Sequence, residues 1–444
     1  MDVIGNEVPA VSGGWPKVKR CTVLIFVGLP HHARKLKQVG ELLSEAGMQI
    51  VYVTSRNIPS LGEGNAECFE FGLWRQGVPY RHLFEYRTRE SVREVERRLS
   101  EVERQVAQAG RAAVAKLFEK TNRGWFSLAV RDAVECDVLF TVAIEREGAD
   151  LVIGLHEANF WVKLLAHRAH MQGIPSLTLQ EGHYSRDEVD RLKYWVMAEF
   201  SHVALWGAEA REAILAQAPG VAHRLHVVGD PQYDWVGDYE GDGLEQAAAE
   251  ARQRLSIDTR ERVLGLFMPS PYERYASAIP VVEIAEAVKA VADVRVVVKW
   301  HPREDHATIH RLAAQTQGTH VEHVTAQPPR PHDWILASDA CIVLDSSTGV
   351  DALVLGRSLI EVNMGGDPFG RSYSRSGVAL SITAPEQLSL ISDVLLGYQS
   401  TWTEEARTRF LGRVYRRLDG RAGERIVGLA SQLIAQARGA NRLP

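Results

Sequence analysis

Histidine and glutamate occur together at two neighbouring places in the middle of the chain. His156 and Glu157 directly follow one short apolar run, and Glu181 and His183 follow the next. Imidazole and carboxylate groups at the ends of strands can accept the proton of an attacking hydroxyl group. The alternative is that these polar residues only cap helices, but their repetition in two adjacent loops favours the catalytic interpretation.

Within this set we predict Glu181, with His183 beside it, as the general base. Gly182 would let the loop turn tightly and expose both side chains. His156 and Glu157 remain alternatives, although Glu157 leads into a helix, where its charge could serve only the helix dipole. Neither pair has the spacing of a HExxH helix or belongs to a cluster of cysteine and histidine, so the sequence predicts no metal site.

A hydroxyl-rich turn in the second half of the chain has the composition of a phosphate-binding loop. Ser346, Ser347 and Thr348 lie between the apolar run Cys341–Leu344 and a helix that begins near Val350. Backbone N–H groups and the positive end of the dipole attract anions to the start of a helix, and hydroxyl groups add hydrogen-bond donors. The turn is therefore predicted to hold a phosphate. Taken alone, such a stretch is more often a plain helix cap that binds nothing.

Strands of parallel sheets are needed to position these polar residues. In the first half of the chain, Thr22–Val27 is an apolar strand, Ala33–Ala46 a helix and Met48–Thr54 the next strand. Units of this kind with short connections form parallel, doubly wound sheets, whose ligands gather at the carboxyl ends of the strands. The loop after the first strand would also line this edge, unless it is only a solvated helix start; its polar residues are His31, His32, Arg34 and Lys35.

A second unit of the same kind begins with the apolar run Val263–Met268. The strand Arg295–Lys299 and the strand before Ser346 follow, which predicts a second doubly wound sheet. Residues 237–259 contain glycine, aspartate and few large apolar side chains, as an interdomain linker does. The sequence thus predicts an α/β protein with these parts: a flexible tail at 1–19, a Rossmann-like N-terminal acceptor domain at 20–235 with a helical insertion near 84–145, a linker at 236–259, a Rossmann-like C-terminal nucleotide-donor domain at 260–385, and C-terminal helices at 386–444 that cross back.

A highly charged segment from Glu90 to about Lys120 is predicted to be helical. Valine and leucine recur in it at alternating spacings of three and four residues. Such a stripe either packs on its own domain or forms a coiled-coil seam. Because it spans only about two heptads before Gly110, we predict packing on the N-terminal sheet, with a homo-oligomer as the alternative. The stripe consists of Val92, Val95, Leu99, Val102 and Val106.

Length and composition are those of a globular protein with two domains. The chain has 444 residues, of which 45% are hydrophobic and 24% charged, and its formal net charge is −5. That charge gives no general attraction to nucleic acids or membranes. The four cysteines lie far apart and form no CxxC pair, so buried, reduced thiols are expected. The first twenty residues have the pattern of neither a signal peptide nor a membrane span, and we expect a cytoplasmic protein.

Four separated elements match short motifs in order and spacing. They are Gly229–Asp234, similar to GxPRxD; Lys299–Pro302, similar to KxHP; Ser346–Ser358, similar to SSxxxEALxLGKP; and Asp419–Ile426, similar to DGxAxxRI. With them, about residues 20 to 430 resemble the GT-B-fold proteins of bacterial surface and capsular polysaccharide synthesis. That group includes CDP-glycerol glycerophosphotransferases, capsule Kdo transferases and the non-hydrolysing UDP-GlcNAc 2-epimerases. Gln232, Asp351 and Ser358 depart from the Arg, Glu and Pro of these motifs.

The resemblance implies a GT-B-like fold, in which two Rossmann-like domains face a central cleft. It also implies that His301 contacts the phosphates of a nucleotide-activated donor and that Ser346 and Ser347 donate hydrogen bonds to them. Asp351 would reach the ribose hydroxyl groups. A purely structural histidine at a strand end is the alternative for His301. The predicted donor-binding set is completed by Thr348, Ser270, Arg303 and Gln180.

These predictions together support a transfer reaction. A glycosyl or glycerophosphate-like group would pass from a nucleotide sugar or a CDP/CMP-type donor to a saccharide or lipid-linked acceptor, with no metal ion or cofactor. Gln180 stands where the epimerases have the glutamate of HVEAGLRS, which argues against epimerisation. An epimerase and a non-catalytic nucleotide-sugar-binding protein remain the alternatives. No nucleic acid partner is expected, and a lipid-linked acceptor would bring the protein to the surface of the inner membrane.

Overall fold

A computed structural model of the chain divides into two compact units. Unit 1 comprises Met1–Glu181, Glu188–Asp234 and Leu418–Pro444, and unit 2 comprises Gly182–Asp187 and Trp235–Arg417. The structure describes residues 21–28, 32–55, 70–108, 123–155, 160–183, 200–238, 243–269, 279–301, 304–325, 332–344, 346–364 and 373–440.

Unit 1 is built on a parallel sheet of seven strands. The strands are β1 (Thr22–Val27), β2 (Gln49–Thr54), β3 (Arg81–His82), β4 (Ala149–Leu155), β5 (Ser176–Leu179), β6 (His202–Leu205) and β7 (Leu225–Val227). Their order in the sheet is β3-β2-β1-β4-β5-β6-β7, and every neighbouring pair is parallel.

Helices cover both faces of this sheet, which explains why its central strands are apolar throughout. Val23 and Ile25 of β1 face one core layer, which the last helix of the chain completes with residues such as Leu433. Leu24 and Phe26 face the opposite layer. The helices of unit 1 are His32–Glu45, Glu70–Arg75, Arg89–Gln108, Arg123–Glu147, Phe160–Met171, Ala208–Leu215 and Ala422–Ala440, with short 3₁₀ helices at Leu83–Tyr86 and Pro219–Arg224 and one at Pro231–Asp238 that runs on into unit 2.

The charged segment forms the helix Arg89–Gln108, and the residues that follow it up to 122 lie outside the described part. The helix packs on the helix Arg123–Glu147, and it is this second helix that contacts β1 and β4 of the sheet. The charged helix therefore packs on its own domain as predicted, but against a helix and not directly against the sheet. Val95 is buried, whereas Val92 is 44% exposed. The stripe is therefore only partly covered within the unit. Asp137, which accepts a hydrogen bond from Arg98 at 2.6 Å, ties the two helices together.

Unit 2 contains a parallel sheet of six strands. They are β8 (Arg262–Phe267), β9 (Val294–Lys299), β10 (Val321–Val324), β11 (Ala340–Val343), β12 (Ser358–Val362) and β13 (Leu380–Ile382). Their order is β10-β9-β8-β11-β12-β13, and all neighbouring pairs are parallel. The helices of unit 2 are Gly243–Arg254, Val281–Val288, His306–Gln315, Asp333–Ala337, Thr348–Val354, Leu390–Leu395 and Glu404–Val414, with a 3₁₀ helix at Pro385–Ser389.

Both sheets have the doubly wound strand order. In each, the first strand is central, the next two strands lie on one side of it and the remaining strands on the other. The winding direction reverses between β1 and β4 and again between β8 and β11, and ligands bind at the carboxyl ends of strands at such reversals. The prediction of two Rossmann-like, GT-B-like α/β domains is thus confirmed.

Two helices outside the predicted Rossmann-like domains pack against the core of a unit. The helix Gly243–Arg254 lies within the predicted linker, yet it packs on Asp333–Ala337 in unit 2. Its Arg254 Nη2 donates to Asp333 Oδ1 at 2.7 Å, and Asp333 is fully buried. The last helix, by contrast, returns the chain to the core of unit 1.

The described helices include none whose length and apolar character would suit it to cross a bilayer. Three of the cysteines, Cys21, Cys136 and Cys341, are buried thiols that form no disulfide, as predicted, and Cys68 lies outside the described residues. Burial raises the pKa of the Cys341 thiol to about 12, which keeps it in the unreactive thiol form.

Candidate functional site

In unit 2, the hydroxyl-rich turn lies where β11 ends and the helix Thr348–Val354 begins. Ser346 Oγ accepts a hydrogen bond from the Thr348 N–H group at 3.2 Å and donates one to Thr348 Oγ1 at 3.0 Å. Ser347 occupies the N-cap position, but its side chain makes no capping hydrogen bond. The Ser346 side chain therefore binds a backbone N–H group at the start of the helix, as a cap would, whereas the hydroxyl group of Ser347 makes no capping bond.

The backbone of this turn is held by Tyr373, which is fully buried. Its hydroxyl group donates a hydrogen bond to the Ser346 carbonyl oxygen at 2.7 Å. Its ring lies against Gly349, where an added Cβ atom would come within 2.6 Å of ring carbon Cζ. No sequence motif marks Tyr373, because it lies 27 residues beyond Ser346 and meets it only in the folded unit.

The other predicted phosphate ligands lie at the same edge of the unit 2 sheet. His301 follows β9 and Ser346 follows β11, with β8 between those two strands. His301 is half-buried, and its carbonyl oxygen accepts a hydrogen bond from the Glu304 N–H group at 3.0 Å. Asp351 is half-buried in the first turn of the helix that follows the turn. Two further predicted ligands lie outside the described residues: Ser270 and Arg303.

Lys299, at the end of β9, adds a positive charge close to His301 in the sequence. Its Nζ atom donates a hydrogen bond to the Trp300 carbonyl oxygen at 3.1 Å, and burial lowers the pKa of the ammonium group. Trp300 itself belongs to the core, and its indole N–H group donates to His323 Nδ1 at 3.1 Å. The KxHP-like element thus places Trp300 in the core and the polar groups of Lys299 and His301 at the end of the strand.

In unit 1, the predicted base Glu181 pairs with a histidine from the first loop. Glu181 comes just after β5, and His32 begins the helix that follows β1. The His32 Nε2 and Glu181 Oε1 atoms are 2.9 Å apart. The His32 side chain is 1% exposed, whereas the Glu181 side chain is 25% exposed. The structure therefore brings these two predicted residues together and leaves the carboxylate accessible.

Lys35 joins this pair to a second carboxylate. Its Nζ atom donates to the Glu181 carbonyl oxygen at 2.7 Å, lies 3.7 Å from Asp230 Oδ2 and is 4.8 Å from the centre of the Trp206 ring. Burial raises the pKa of Asp230, and the charge of Lys35 opposes this shift. Among the described residues, no group donates a hydrogen bond to Asp230 Oδ2.

Lys35, Trp206 and Asp230 help to line a pocket at the carboxyl edge of the unit 1 sheet, with a volume of about 340 Å³ including its open mouth. Asp230 follows β7, so the pocket draws on loops from several strands. The sequence pattern included Asp230 only as part of the Gly229–Asp234 element. A carboxylate directly after an apolar strand and a glycine is the signal that could have identified it.

Gln180 and His183 have structural contacts of their own. Gln180 is buried, and its Oε1 atom accepts a hydrogen bond from the Trp206 N–H group at 2.8 Å, which links the ends of β5 and β6. His183 is also buried, with its ring edge-on to Phe410 at 6.1 Å. The expectation that Gly182 would expose both neighbouring side chains is thus wrong for His183. Gly182 lacks the left-handed backbone that would require glycine. The other predicted base candidates, His156 and Glu157, lie outside the described residues.

Two of the motif-like elements, Gly229–Asp234 and Asp419–Ile426, contact each other within unit 1. The Asp234 carboxylate accepts hydrogen bonds from the N–H groups of Ala422 and Gly423 at 2.8 and 2.7 Å, so it caps the last helix from a distant part of the chain. Arg425 is buried, and it donates to the Val228 carbonyl oxygen at 2.9 Å. The elements around residues 229–234 and 419–426 therefore stabilise the unit rather than present free side chains.

Within the described residues, no three His, Cys, Asp or Glu side chains are grouped so that they could hold a metal ion. A reaction without metal or cofactor stays a prediction.

No family model matches the sequence, and no curated protein matches it. Solved structures do resemble the fold. The UDP-GlcNAc 2-epimerase of Neisseria meningitidis, bound to UDP-GlcNAc, has a TM-score of 0.58 at 12% identity over 93% of this chain and 100% of its own. The UDP-GlcNAc 2-epimerase of Methanocaldococcus jannaschii has a TM-score of 0.56 at 13% identity, over 93% and 99%.

The wall teichoic acid polymerase TagF is similar as well, with a TM-score of 0.53 at 13% identity over 95% of this chain and 90% of its own. At such low identity the comparisons establish shared architecture and not shared chemistry. The chain therefore has the fold of these GT-B-like proteins along nearly its whole length.

Proposed function

We propose that this chain is an enzyme that acts on a nucleotide-activated donor. It transfers a glycosyl or glycerophosphate-like group to a saccharide or lipid-linked acceptor in surface polysaccharide synthesis, without a metal ion. The observation that carries the proposal is the turn at Ser346–Thr348, which presents hydroxyl groups at the carboxyl edge of a doubly wound sheet. The fold shared with a protein bound to UDP-GlcNAc supports a nucleotide as the ligand.

Unit 2 supplies the groups that bind the donor in this proposal. Ser347 donates a hydrogen bond to the phosphates, Ser346 donates one in exchange for its bond to Thr348 Oγ1, and His301 donates another. Asp351 accepts hydrogen bonds from the ribose hydroxyl groups. Because the departing nucleotide gains negative charge in the transition state, fixed hydrogen-bond donors stabilise it more than they stabilise the bound substrate.

Unit 1 supplies the general base, for which we propose Glu181. The side chain is partly exposed, so an acceptor hydroxyl group can reach it, and His32 orients it through the 2.9 Å contact. Lys35 fixes the backbone at the same residue. His183 is buried against Phe410, so it is less suited to accept the proton than Glu181.

Epimerisation at C2 of a nucleotide sugar is the second candidate, because two of the similar structures are named as UDP-GlcNAc 2-epimerases. Gln180 weighs against it, since this amide is committed to the Trp206 backbone and cannot act as a base. The two reactions differ in a direct way: an epimerase would convert UDP-GlcNAc to its C2 epimer with no acceptor present. Incubation with UDP-GlcNAc alone distinguishes them.

A thermal-shift panel with CMP, CDP, UDP, GDP and ADP tests the proposal. A nucleotide present at 100 times its dissociation constant should stabilise the wild-type protein by about 2.7 kcal/mol. His301→Ala and the double change Ser346→Ala/Ser347→Ala should reduce or abolish that response, because each removes hydrogen bonds to the phosphates. In a transfer assay, the loss of one such donor should slow turnover by about 100- to 1,000-fold.

The matched control is Ser389→Ala/Ser392→Ala, which removes two hydroxyl groups of unit 2 that donate to the Glu386 and Ala287 carbonyl oxygens. It should respond to nucleotide as the wild type does. If the wild-type protein responds to none of the five nucleotides, a non-catalytic role replaces the proposal. Wild-type turnover by a folded His301→Ala protein would remove His301 from the site.

A further inference from the structure

We infer that Tyr373 is a positioning residue, which holds the turn at Ser346–Thr348 in the shape that takes the phosphates of the donor. The inference rests on the proposed function and adds to it a residue that no motif marks. Its basis is that one buried side chain contacts the turn in two independent ways, through a hydrogen bond and through its ring.

The hydrogen bond fixes the backbone at the first serine of the turn. The Tyr373 hydroxyl group donates to the Ser346 carbonyl oxygen at 2.7 Å. The Ser346 side chain is fixed as well, because Oγ accepts from the Thr348 N–H group. With carbonyl and side chain both held, the direction in which the next residue, Ser347, presents its hydroxyl group is restricted.

The ring of Tyr373 fixes the start of the following helix. An added Cβ atom at Gly349 would come within 2.5 Å of ring carbon Cε2, so the ring occupies the space that any other side chain at 349 would need. The backbone φ angle of Gly349 is not positive, so this residue is outside the left-handed region. Glycine is therefore required there for close approach and not for backbone conformation.

Other elements of unit 2 hold Tyr373 itself in place. Its ring packs edge-on against Phe410 at 5.9 Å, and Phe410 packs edge-on against His183 at 6.1 Å. The next residue, Ser374, donates two hydrogen bonds to the buried Glu361 carboxylate, from its N–H group at 3.1 Å and its hydroxyl group at 2.5 Å. Tyr373 is thus a rigid support, and His183 becomes part of that support.

A rigid support matters because hydrogen-bond donors that are already oriented need no rearrangement when an anion arrives. A phenylalanine at 373 would keep the ring and its contact with Gly349 but would release the Ser346 carbonyl oxygen. Because one hydrogen bond fewer then favours the binding-competent shape of the turn, the expected result is a dissociation constant about tenfold higher.

The experiment compares Tyr373→Phe with Tyr86→Phe by isothermal titration calorimetry, with the nucleotide to which the wild type responds. Tyr86 is the matched control, because it is equally buried and its hydroxyl group donates to Glu147 at 2.9 Å in unit 1. Both variants lose one buried hydrogen bond and should lose similar stability. Only Tyr373→Phe should bind nucleotide about tenfold more weakly and raise KM for the donor more than it lowers kcat.

A third variant, Gly349→Ala, places a methyl group against the Tyr373 ring and should weaken nucleotide binding further. If Tyr373→Phe binds as tightly as the wild type, or if Tyr86→Phe weakens binding equally, the inference is wrong while the proposed function stands. If the wild type binds no nucleotide, the proposed function falls, and the inference falls with it.

Discussion

The polar side chains at the carboxyl edges of the two sheets differ in kind and in the contacts that they make. In unit 1 the groups are ionisable and contact one another: Glu181 pairs with His32, and Lys35 lies between the Glu181 carbonyl oxygen and Asp230. In unit 2 the corresponding turn carries neutral hydroxyl groups, and its backbone is held by Tyr373. The strand order that leads to the two edges is the same.

This difference teaches that the shared topology places the loops, whereas the residues in the loops decide the chemistry. Ionisable groups in contact shift one another's protonation equilibria, which suits a site where one group must accept a proton. Neutral hydroxyl groups at a helix start suit an anion, because they donate hydrogen bonds without bringing a competing negative charge. Three changes test, in turn, the proposed base at the carboxyl edge of unit 1, the distant helix cap in the core of that unit and the histidine pair at the opposite end of β6.

The largest effect is expected for Glu181→Gln. The substitution keeps the size of the side chain and its ability to hydrogen bond, but it removes the basicity. We expect transfer to slow by about 100- to 10,000-fold, the usual loss of a general base, while nucleotide affinity remains unchanged. Initial rates and nucleotide titration on the same preparation measure both quantities.

The control for this change is Glu135→Gln, which removes another paired carboxylate of unit 1, the partner of Arg87. It should transfer at the wild-type rate. Normal transfer by Glu181→Gln, together with loss of transfer in His156→Ala or Glu157→Gln, would move the base to the loop after β4.

A smaller effect, on stability, is expected for Asp234→Ala. The change leaves the N–H groups of Ala422 and Gly423 without their carboxylate at the start of the last helix. Burial of unsatisfied donors should lower the free energy of unfolding by about 1 to 3 kcal/mol. Urea denaturation measures this change.

Thr403→Ala provides the comparison in unit 2, where an exposed threonine caps its own helix through Ala406 N–H at 3.2 Å. Its loss should lower the free energy of unfolding by about 1 kcal/mol or less. Equal losses in the two variants would show that the cap supplied by Asp234 from a distant part of the chain stabilises the protein no more than an ordinary local cap.

The last effect is a change of stability with pH, at the amino end of β6. His202 Nδ1 and His226 Nε2 are 3.0 Å apart. Burial, followed by the neighbouring charges of His226, Arg224 and His223, lowers the pKa of His202 from 6.5 to about 4, and burial also lowers the pKa of His226. Between these values the unfolded chain binds a proton that the folded chain does not, so stability falls as the pH falls from about 6.5 to about 4.

His202→Asn should make this pH dependence less steep, because one of the two groups that take up a proton in the unfolded state is gone. Melting temperatures between pH 4 and pH 7 for the variant and the wild type measure the slopes. Parallel curves would exclude His202 as the source of the slope. Nucleotide affinity at pH 7 should be the same in both proteins, since His202 lies at the opposite end of its strand from the loops of the proposed site.

The sequence by itself determined most of the strands, their parallel arrangement and the polar loops that follow them. Hydrophobic runs and turn residues are local signals, so the strand before Ser346 and the loop that contains Glu181 could be predicted from short stretches. The same local signals could not predict the burial of His183, because that depends on Phe410, more than 200 residues away in the sequence.

Only the tertiary structure decided which residues meet. Tyr373 reaches Ser346 across 27 residues, His32 reaches Glu181 across 149, and Asp234 caps the helix at Ala422 across 188. Each partner comes from a different loop or helix, and nothing in the local pattern of either residue specifies the other. The physical reason is that side-chain contacts between elements depend on the packing and relative direction of whole strands and helices, which form only when the entire unit folds.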